Sequence, residues 1–317
     1  MAELINNTHD NKILVVHTKK ISVIKLLFEA LKEIFRDVCI KFTPKITKPS
    51  DIDPTKNIVS GGMYITALNS NSNILVRIHL EADKFCYYKC EPNNDKNYIT
   101  IGVNMANINK IIKASEGDSC LCMSQDQDKQ SELIIEFINS VKKFTSKYSL
   151  NLLDLKEDNI VIAKQKFDFV ITMPSNDFHN LIKNMSIISE KVDIKFICSN
   201  TGYSLIFSCI GEFASQESVF YGLNNEQSNS TINVLNTDEE SKENIVQGVY
   251  ALNALSLFSR CSSLCPTIEL HIKNDSPLVI KYRVADMGSV HLILSSINTN
   301  DDNCANSYDE DEDDEEI

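Results

Sequence analysis

Three copies of one local unit limit what this chain can fold into. Each is a strand, a small or polar residue, and an amphipathic helix that ends in a base: 101–113 (IGVNMANINKIIK), 171–183 (ITMPSNDFHNLIK) and 249–260 (VYALNALSLFSR). A further helix is predicted at Ile21–Arg36, where apolar residues recur at helical spacing. Because the remainder alternates as short strands, the repetition predicts an α+β fold of two similar halves, each with two short helices.

Two long polar segments interrupt the strand pattern. Residues 44–57 contain three prolines, and residues 222–244 are rich in Asn, Ser and Glu. Both are predicted to be loops. A strand is predicted at Tyr148–Leu155, and Ser175 is the candidate N-cap of the third helix.

The acidic character of the chain is concentrated at its end. Residues 301–317 contain ten acids and no base, so the formal charge of −13 falls to −3 for the rest of the chain. Such a like-charge block is predicted to be disordered. It favours a solubility tail, with a docking segment as the alternative.

The motifs of common chemistries are missing from the sequence. It has no phosphate-binding glycine loop, nucleophile elbow or zinc-protease motif. The ten cysteines lack zinc-knuckle spacing, and the start of the chain has no secretory pattern, so buried free thiols are expected and neither a metal nor a cofactor is predicted. These observations favour a binding or scaffold protein without catalytic activity of its own.

Bases recur on or beside the predicted helices, and solvated helix faces would explain each one separately. If the helices share one face, the bases form a surface that binds phosphates without reading sequence. These residues are Lys25, Lys32, Arg36, Lys110, Lys113, Lys183 and Arg260.

The sequence divides into five segments. They are a disordered extension (1–11), an N-terminal domain (12–153), a connecting loop (154–166), a C-terminal domain (167–297) and the disordered acidic tail (298–317). The connecting loop is polar at both ends and apolar in the middle, which predicts exposed apolar side chains at Ile160 and Ile162.

These residues resemble the sliding clamps typified by proliferating cell nuclear antigen. The stretch 276–288 (SPLVIKYRVADMG) is similar to that family's terminal strand pair, and Met173-Pro174-Ser175 with Phe178 is similar to the start of its third helix. Phe28–Ile34 resembles its first helix, and Leu152–Phe167 aligns without gaps to its interdomain loop. The resemblance covers about 12–296.

The resemblance implies a ring with helices inside and antiparallel sheets outside. Three identical subunits would encircle duplex DNA without regard to its sequence and tether a polymerase and other replication or repair proteins. A separate loader would open the ring. The expected location is the nucleus or a viral replication site, with no membrane partner.

The resemblance also assigns surfaces to particular residues. The helix bases named above would face DNA, although Leu26, Asn180 and Asn253 replace bases that the family often has. Subunits would meet at Tyr148 on one edge and at Ser218, Val219 and Phe220 on the other; ordinary strand core is the alternative for Tyr148 and Phe220. A groove for partner peptides with an aliphatic-plus-aromatic plug would involve Leu68, Ile160, Ile162, Pro277, Ile293 and Ser295.

Three other interpretations remain open at this point. The chain could be one subunit of a heterotrimeric checkpoint-type clamp, or a monomeric processivity factor of the kind some viruses use. From another class, it could be an unrelated enzyme or nucleotide-binding protein of mixed β structure, against which the missing phosphate-binding glycines argue.

Overall fold

The computed structural model describes residues 11–49, 57–69, 74–92, 96–117, 119–157, 160, 165–199, 202–223, 232–236 and 244–297. The helices are α1 (Ile21–Ile34), α2 (Met105–Lys113), α3 (Ser175–Ile188) and α4 (Leu252–Phe258), the last running into a 3-10 turn at Ser259–Leu264. A short 3-10 turn also covers Ala82–Lys84.

Strands make up most of the rest. In the N-terminal half they are β1 (Lys12–Thr18), β2 (Asp37–Pro49), β3 (Asn57–Leu68), β4 (Ile74–Glu81), β5 (Tyr87–Cys90), β6 (Ile99–Asn104), β7 (Cys120–Asp126), β8 (Glu132–Asn139) and β9 (Phe144–Asn151). In the C-terminal half they are β10 (Phe169–Pro174), β11 (Lys191–Cys198), β12 (Gly202–Ile210), β13 (Ser215–Leu223), β14 (Asn233–Asn236), β15 (Asn244–Ala251), β16 (Thr267–Ile272), β17 (Leu278–Val284) and β18 (Gly288–Leu294).

The strands form three antiparallel sheets. Their orders are β5-β1-β7-β8-β9, β14-β10-β16-β17-β18-β4-β3-β2-β6 and β13-β12-β11-β15. The nine-stranded sheet joins the two halves, because β18 pairs with β4 from Gly288↔Leu80 to Leu294↔Ile74. Main-chain pairing between the halves therefore makes one continuous outer sheet.

The duplication predicted from the sequence is visible in how the helices connect the strands. Helix α1 follows β1 of the five-stranded sheet and leads into β2 of the nine-stranded sheet, and α2 makes the return from β6 to β7. Helices α3 and α4 make the same two crossings between the nine-stranded and four-stranded sheets. This arrangement confirms the α+β fold with two similar halves.

The helices pack on the sheets through their apolar faces, which gives one connected core. Ile24, Leu27 and Phe28 of α1 are fully buried, as are Ile108 and Ile112 of α2. Helix α1 contacts α2, α3 contacts α4, and α1 also contacts α4 across the two halves. The helices thus form a single layer with its polar side facing away from the sheets.

The prediction of a loop at 44–57 is wrong for its first part. Strand β2 continues to Pro49 and pairs with β3, which begins at Asn57. The register shifts between Thr43 and Ile46, so Pro44 sits in a β-bulge, beyond the last pair of β2 with β6 (Phe42↔Ile99). A bulge tolerates a proline because no ladder hydrogen bond is required of it there.

Three further predictions differ from the structure. Within the predicted loop 222–244, Asn233–Asn236 form β14, which pairs with β10. The strand predicted at Tyr148–Leu155 is displaced toward the N-terminus and ends at Asn151. Helix α4 is shorter than the predicted helix, because the backbone tightens into a 3-10 turn at Ser259.

Ser175 is not the N-cap of α3. Pro174 occupies that position, and the Ser175 hydroxyl donates instead to the carbonyl of Cys265 at 2.7 Å. The backbone N–H of Ser175 donates to the carbonyl of Pro266 at 2.8 Å. Tertiary contacts with the segment before β16 therefore use the groups that a local cap would have used.

Candidate nucleic-acid interface and binding groove

Most of the bases selected from the sequence lie on the polar side of the helical layer. They differ in their exposure and in whether they form an ion pair. Lys110 and Lys183 are exposed and, within the described residues, make no ion pair. Arg36 is 90% exposed just beyond α1, with its Nε 3.7 Å from Asp37 Oδ2. These three cations are available to a phosphate backbone.

Two of the other bases hold α1 against α2. The Lys113 Nζ lies 2.5 Å from Glu29 Oε1, which joins α2 to α1. The partly buried Lys25 ammonium donates to the carbonyl of Ser115 at 2.7 Å, just beyond α2. Lys32 pairs with Glu33 on its own helix at 3.2 Å. The side chain of Arg260 lies outside the described residues.

The residues proposed for subunit contacts lie on two strands that each form one edge of a sheet. Within the described residues, β9 pairs with β8 alone and β13 pairs with β12 alone, so each leaves one row of main-chain groups unpaired. Tyr148 is on β9, and Ser218, Val219 and Phe220 are on β13. Such edges can add a strand from another chain.

The aromatic residues proposed for these edges also contribute to their own sheets. The Tyr148 ring packs edge-on against Phe137 with centroids 5.7 Å apart, and Phe220 packs against Phe207 at 6.0 Å. Both are partly buried. Neither ring is therefore a freely exposed anchor.

Four more exposed apolar side chains, which were not predicted from the sequence, lie at the same edges. Phe144 on β9 is 55% exposed, and Tyr221 on β13 is 74% exposed. Val141 is 85% exposed in the β8–β9 turn, and Phe213 is 74% exposed in the β12–β13 turn. The available signal was an apolar residue inside an otherwise polar turn, as in 139–145 (NSVKKFT).

On the outer face of the nine-stranded sheet, the register brings together a row of apolar side chains. Leu68 pairs with Leu75, Leu75 with Ile293, and Ile293 with Val279. We call Leu68, Leu75, Ile293 and Val279 the apolar row. Leu68 is 40% exposed, and the row crosses the junction between the two halves.

Four residues selected from the sequence lie at or beside this row. Leu68 and Ile293 belong to it, and Pro277 and Ser295 adjoin the paired residues Leu278 and Leu294. Leu75 and Val279 were missed, although an apolar residue on the polar face of the strand ILVRIHLE was a usable signal for Leu75.

Ile160 lines a cavity that adjoins the apolar row. This cavity of about 370 Å³ is lined by Lys41, Thr43, Tyr64, Thr66, Arg77 and Ile160. Thr66 precedes Leu68 by two residues on the same strand face, so the cavity and the apolar row adjoin. Ile162 lies outside the described residues.

The segment between the halves is held by hydrogen bonds at both of its described ends. Leu153 pairs with Gly102 of β6, where a Cβ atom would lie 2.2 Å from the Leu153 carbonyl oxygen. Glu157 accepts from Lys96 at 3.1 Å and from Tyr98 at 3.0 Å. Burial raises the pKa of Glu157, but these hydrogen bonds outweigh the effect of burial and hold the pKa below its usual range.

At the other end of the segment, Gln165 donates to Ser276 Oγ at 2.9 Å.

The cysteines of the described residues form neither a disulfide nor part of a metal cluster. Nine of the ten cysteines fall among them, and all nine are free thiols. The described residues contain no group of three or more His, Cys, Asp or Glu side chains able to hold a metal ion. No helix among them is long and apolar enough to cross a membrane.

Two duplicated halves, a layer of four described helices and three antiparallel sheets, one of them continuous between the halves, define the class of protein: a two-domain clamp fold. Family models agree over nearly the whole body. The N-terminal domain of proliferating cell nuclear antigen matches residues 13–160, and its C-terminal domain matches residues 161–297. The chain belongs to the proliferating cell nuclear antigen family.

Two viral proteins are among its relatives. A "Probable DNA polymerase sliding clamp" of Acanthamoeba polyphaga mimivirus is 30% identical over 319 residues, covering 92% of this chain. This chain spans 64% of that protein's length. A "Probable DNA polymerase sliding clamp 1" of Paramecium bursaria Chlorella virus 1 is 29% identical over 291 residues, covering 91% of this chain and 98% of that protein.

Proposed function

We propose that this protein is a DNA sliding clamp, a processivity factor that encircles duplex DNA and tethers a polymerase. The observation that carries the proposal is the family match across both halves, from residue 13 to residue 297. The names of the two viral relatives support it, and they favour action at a site of viral DNA replication.

The proposed working form is a homotrimeric ring. The unpaired edges of β9 and β13 lie on different sheets, so β9 of one subunit can pair with β13 of the next in a head-to-tail contact. A heterologous contact closes into a ring when its rotation matches the number of subunits. The exposed Phe144 and Tyr221 rings would add apolar area to that contact.

In the ring, the helical layer would face the DNA. Lys110, Lys183 and Arg36 would contact phosphates, while Lys25 and Lys113 would mainly hold α1 against α2. Contacts to phosphate carry no sequence information, so the ring could move along any duplex. Encirclement, and not tight binding, would keep the protein on DNA, and no catalytic step is assigned to it.

The apolar row and the neighbouring segment 154–166 would bind the partner peptides of this clamp. Leu68 and Ile293 would receive the apolar plug, with Pro277 and Ser295 at one end of the groove. We extend this proposal to Ile160 and Ile162, by which the connecting loop would cover the bound peptide. A clamp loader would be needed to open the ring on DNA without ends.

Encirclement can be tested without a loader by threading. The protein is incubated with a linear duplex whose one end is blocked by a bulky protein, and the other end is then blocked or left open. We expect retention at high salt on the doubly blocked duplex and rapid loss from the open one, because only topology resists salt.

Equal, salt-sensitive release from both duplexes would contradict the ring and favour the monomeric processivity factor. Light scattering on the same sample then measures the number of chains in the particle. A mass of about 107 kDa, three times the 35.7 kDa chain, is expected for the homotrimer. A mass of one chain would contradict the homotrimer and favour a monomeric processivity factor or one subunit of a mixed ring.

A further inference from the structure

The cavity under Ile160 has a chemistry that differs from that of the apolar row beside it. Its lining presents two cations, Lys41 and Arg77, and three hydroxyl groups, those of Thr43, Thr66 and Tyr64. Among the described residues, no carboxylate lines it. Such a lining offers charged and neutral hydrogen-bond donors to an anion and repels a cation.

The two cations keep their charge unneutralised in the part of the chain that the structure describes. Arg77 is exposed and makes no ion pair there. The Lys41 ammonium lies 3.4 Å from the centroid of the Tyr98 ring, a contact that fixes its position without cancelling its charge. The lining therefore carries two positive charges available to a ligand.

Two carboxylates near the cavity are bound by other side chains. Glu157 is bound by Lys96 and Tyr98, and Glu269 on β16 is bound by Lys281 at 2.9 Å. Arg283 and His271 also face Glu269, at 3.6 and 3.3 Å. An anion entering the cavity would meet no carboxylate among the described lining residues, although the Glu81 charge acts on Tyr64 from outside the lining.

The hydroxyl groups are positioned by the sheet. The Tyr64 ring stacks on His79 with centroids 4.2 Å apart, and its hydroxyl is hydrogen-bonded to the Thr43 side chain. Burial raises the pKa of Tyr64, so its hydroxyl stays protonated and able to donate at neutral pH. Thr66 and Arg77 are directly paired on β3 and β4, which places a hydroxyl beside the guanidinium.

The cavity is also in line with the apolar row. Thr66 and Arg77 each lie two residues from the paired Leu68 and Leu75, a separation of about 7 Å along the strands. A peptide seated on the row and continuing beneath Ile160 would pass over the cavity with its next one to three residues.

We propose that this cavity is an anion site for the partner peptide, binding a carboxylate or phosphorylated side chain that flanks the apolar plug. This inference rests on the proposed function, since it adds an electrostatic requirement to the same groove. It would make the clamp prefer acidic or phosphorylated partner segments over neutral or basic ones.

The test uses the full chain and synthetic peptides that share one aliphatic-plus-aromatic plug. The plug is flanked on either side by two Glu, two Gln or two phosphoserine residues, and affinities are measured by fluorescence polarisation. We expect the Glu and phosphoserine peptides to bind about tenfold more tightly than the Gln peptide, because charge-assisted hydrogen bonds form in a partly enclosed site.

The double variant K41Q/R77Q should remove this preference and leave the affinity of the Gln peptide unchanged. The matched control is R283Q, which removes a 71% exposed arginine from β17 of the same sheet without touching the cavity lining. It should keep the tenfold preference. Equal affinities for Glu and Gln peptides in the unaltered chain, or a preference that survives in K41Q/R77Q, would overturn the proposal.

Two further arms keep the cavity separate from the groove. Inorganic phosphate should raise the melting temperature of the unaltered chain but not that of K41Q/R77Q. If phosphate does so but no peptide binds, the anion site is supported and the proposed peptide groove is contradicted.

A chain ending at Ile297 tests whether the acidic segment 301–317 occupies the cavity instead of a partner peptide. If acid preference appears only in that shortened chain, the cavity belongs to the chain's own tail and the partner assignment is wrong.

Discussion

At the scale of single residues, the outer sheet shows how burial sets the protonation of a side chain. His291 on β18 is paired in register with Arg77 on one side and Lys281 on the other. Burial lowers the pKa of His291 to about 4, and the positive charges of Lys281, His271 and Arg77 act in the same direction. The imidazole is therefore neutral at pH 7.

This shift predicts an acid-dependent loss of stability. Below pH 6.5 the unfolded chain binds a proton at residue 291 that the folded chain refuses until about pH 4, so stability falls as the pH falls through this window. Allowing for partial solvent exposure, we expect His291 to account for about 1 kcal/mol of unfolding free energy lost between pH 6.5 and 5.

Urea unfolding of H291N at the two pH values checks this expectation, since the variant should lose about 1 kcal/mol less on acidification. H79Q is the matched control on the same sheet face and should keep the full loss. An identical acid loss in H291N and the unaltered chain would contradict the assignment.

At the scale of elements, the bulge in β2 depends on a glycine opposite it. Gly61 has φ +100°, and a Cβ atom there would lie 2.1 Å from the Pro44 carbonyl oxygen. The Tyr88 hydroxyl lies 2.8 and 2.9 Å from the carbonyls of Thr43 and Gly62 and holds the two strands together at this point.

Replacing Gly61 with Ala should therefore destabilise the protein. Both the backbone conformation and the contact with Pro44 would be strained, which suggests a loss of roughly 2–4 kcal/mol in the free energy of unfolding. G117A is the control, because no atom of the described residues lies within 4 Å of a Cβ at Gly117. Chemical denaturation of both variants provides the measurement, and equal midpoints would rule out the strain argument.

The helical layer leads to a prediction about DNA. Lys110 and Lys183 are exposed on α2 and α3, so K110A/K183A should weaken DNA binding and flatten its salt dependence without loosening the helices. The slope of log K against log salt should fall by roughly 0.9 for each phosphate that the variant no longer neutralises. Fluorescence anisotropy over a salt series measures both quantities.

Lys129 provides a control for this experiment. It lies in the turn after β7, at the opposite end of that strand from α2, so K129A should keep the original slope. A K110A/K183A protein with an unchanged slope would remove these lysines from the DNA-facing surface. K113A is less informative, because the loss of its ion pair with Glu29 would also disturb the packing of α1 against α2.

At the scale of the whole molecule, the proposed ring depends on two edges that each chain leaves unpaired within its described residues. F144D/Y221D replaces one exposed ring on β9 and one on β13 with carboxylates. Because both rings are exposed, the single chain loses little packing. We expect the variant to remain folded but to sediment as a single chain, because a buried unpaired charge is costly in an interface.

I245D is the matched variant for the opposite edge of the four-stranded sheet, where Ile245 on β15 is 54% exposed. It should keep the mass of the unaltered protein. Analytical ultracentrifugation over a dilution series measures all three proteins. A trimer that persists in F144D/Y221D would show that these edges do not form the contact.

The repeated unit and the apolar periodicity were enough to predict the helices, most strands and the duplicated α+β fold. These features are local, since the spacing of apolar residues within a helix or strand determines which of its faces is buried. The segment Pro44–Pro49 could not be predicted as a strand, because its pairing depends on a bulge matched by Gly61, seventeen residues away.

The candidate site could likewise be predicted only in part from the sequence. The sequence supplied the bases of the helices and, through the family resemblance, Leu68 and Ile293. It could not tell that Lys25 and Lys113 are bound within the helical layer while Lys110 and Lys183 are free among the described residues. Nor could it bring Lys41, Arg77 and Ile160 to one cavity, because strand register and distant chain segments decide which side chains meet. The sequence by itself determined most of the elements and their buried faces, because these depend on local spacing, and only the tertiary structure decided which charges stay available.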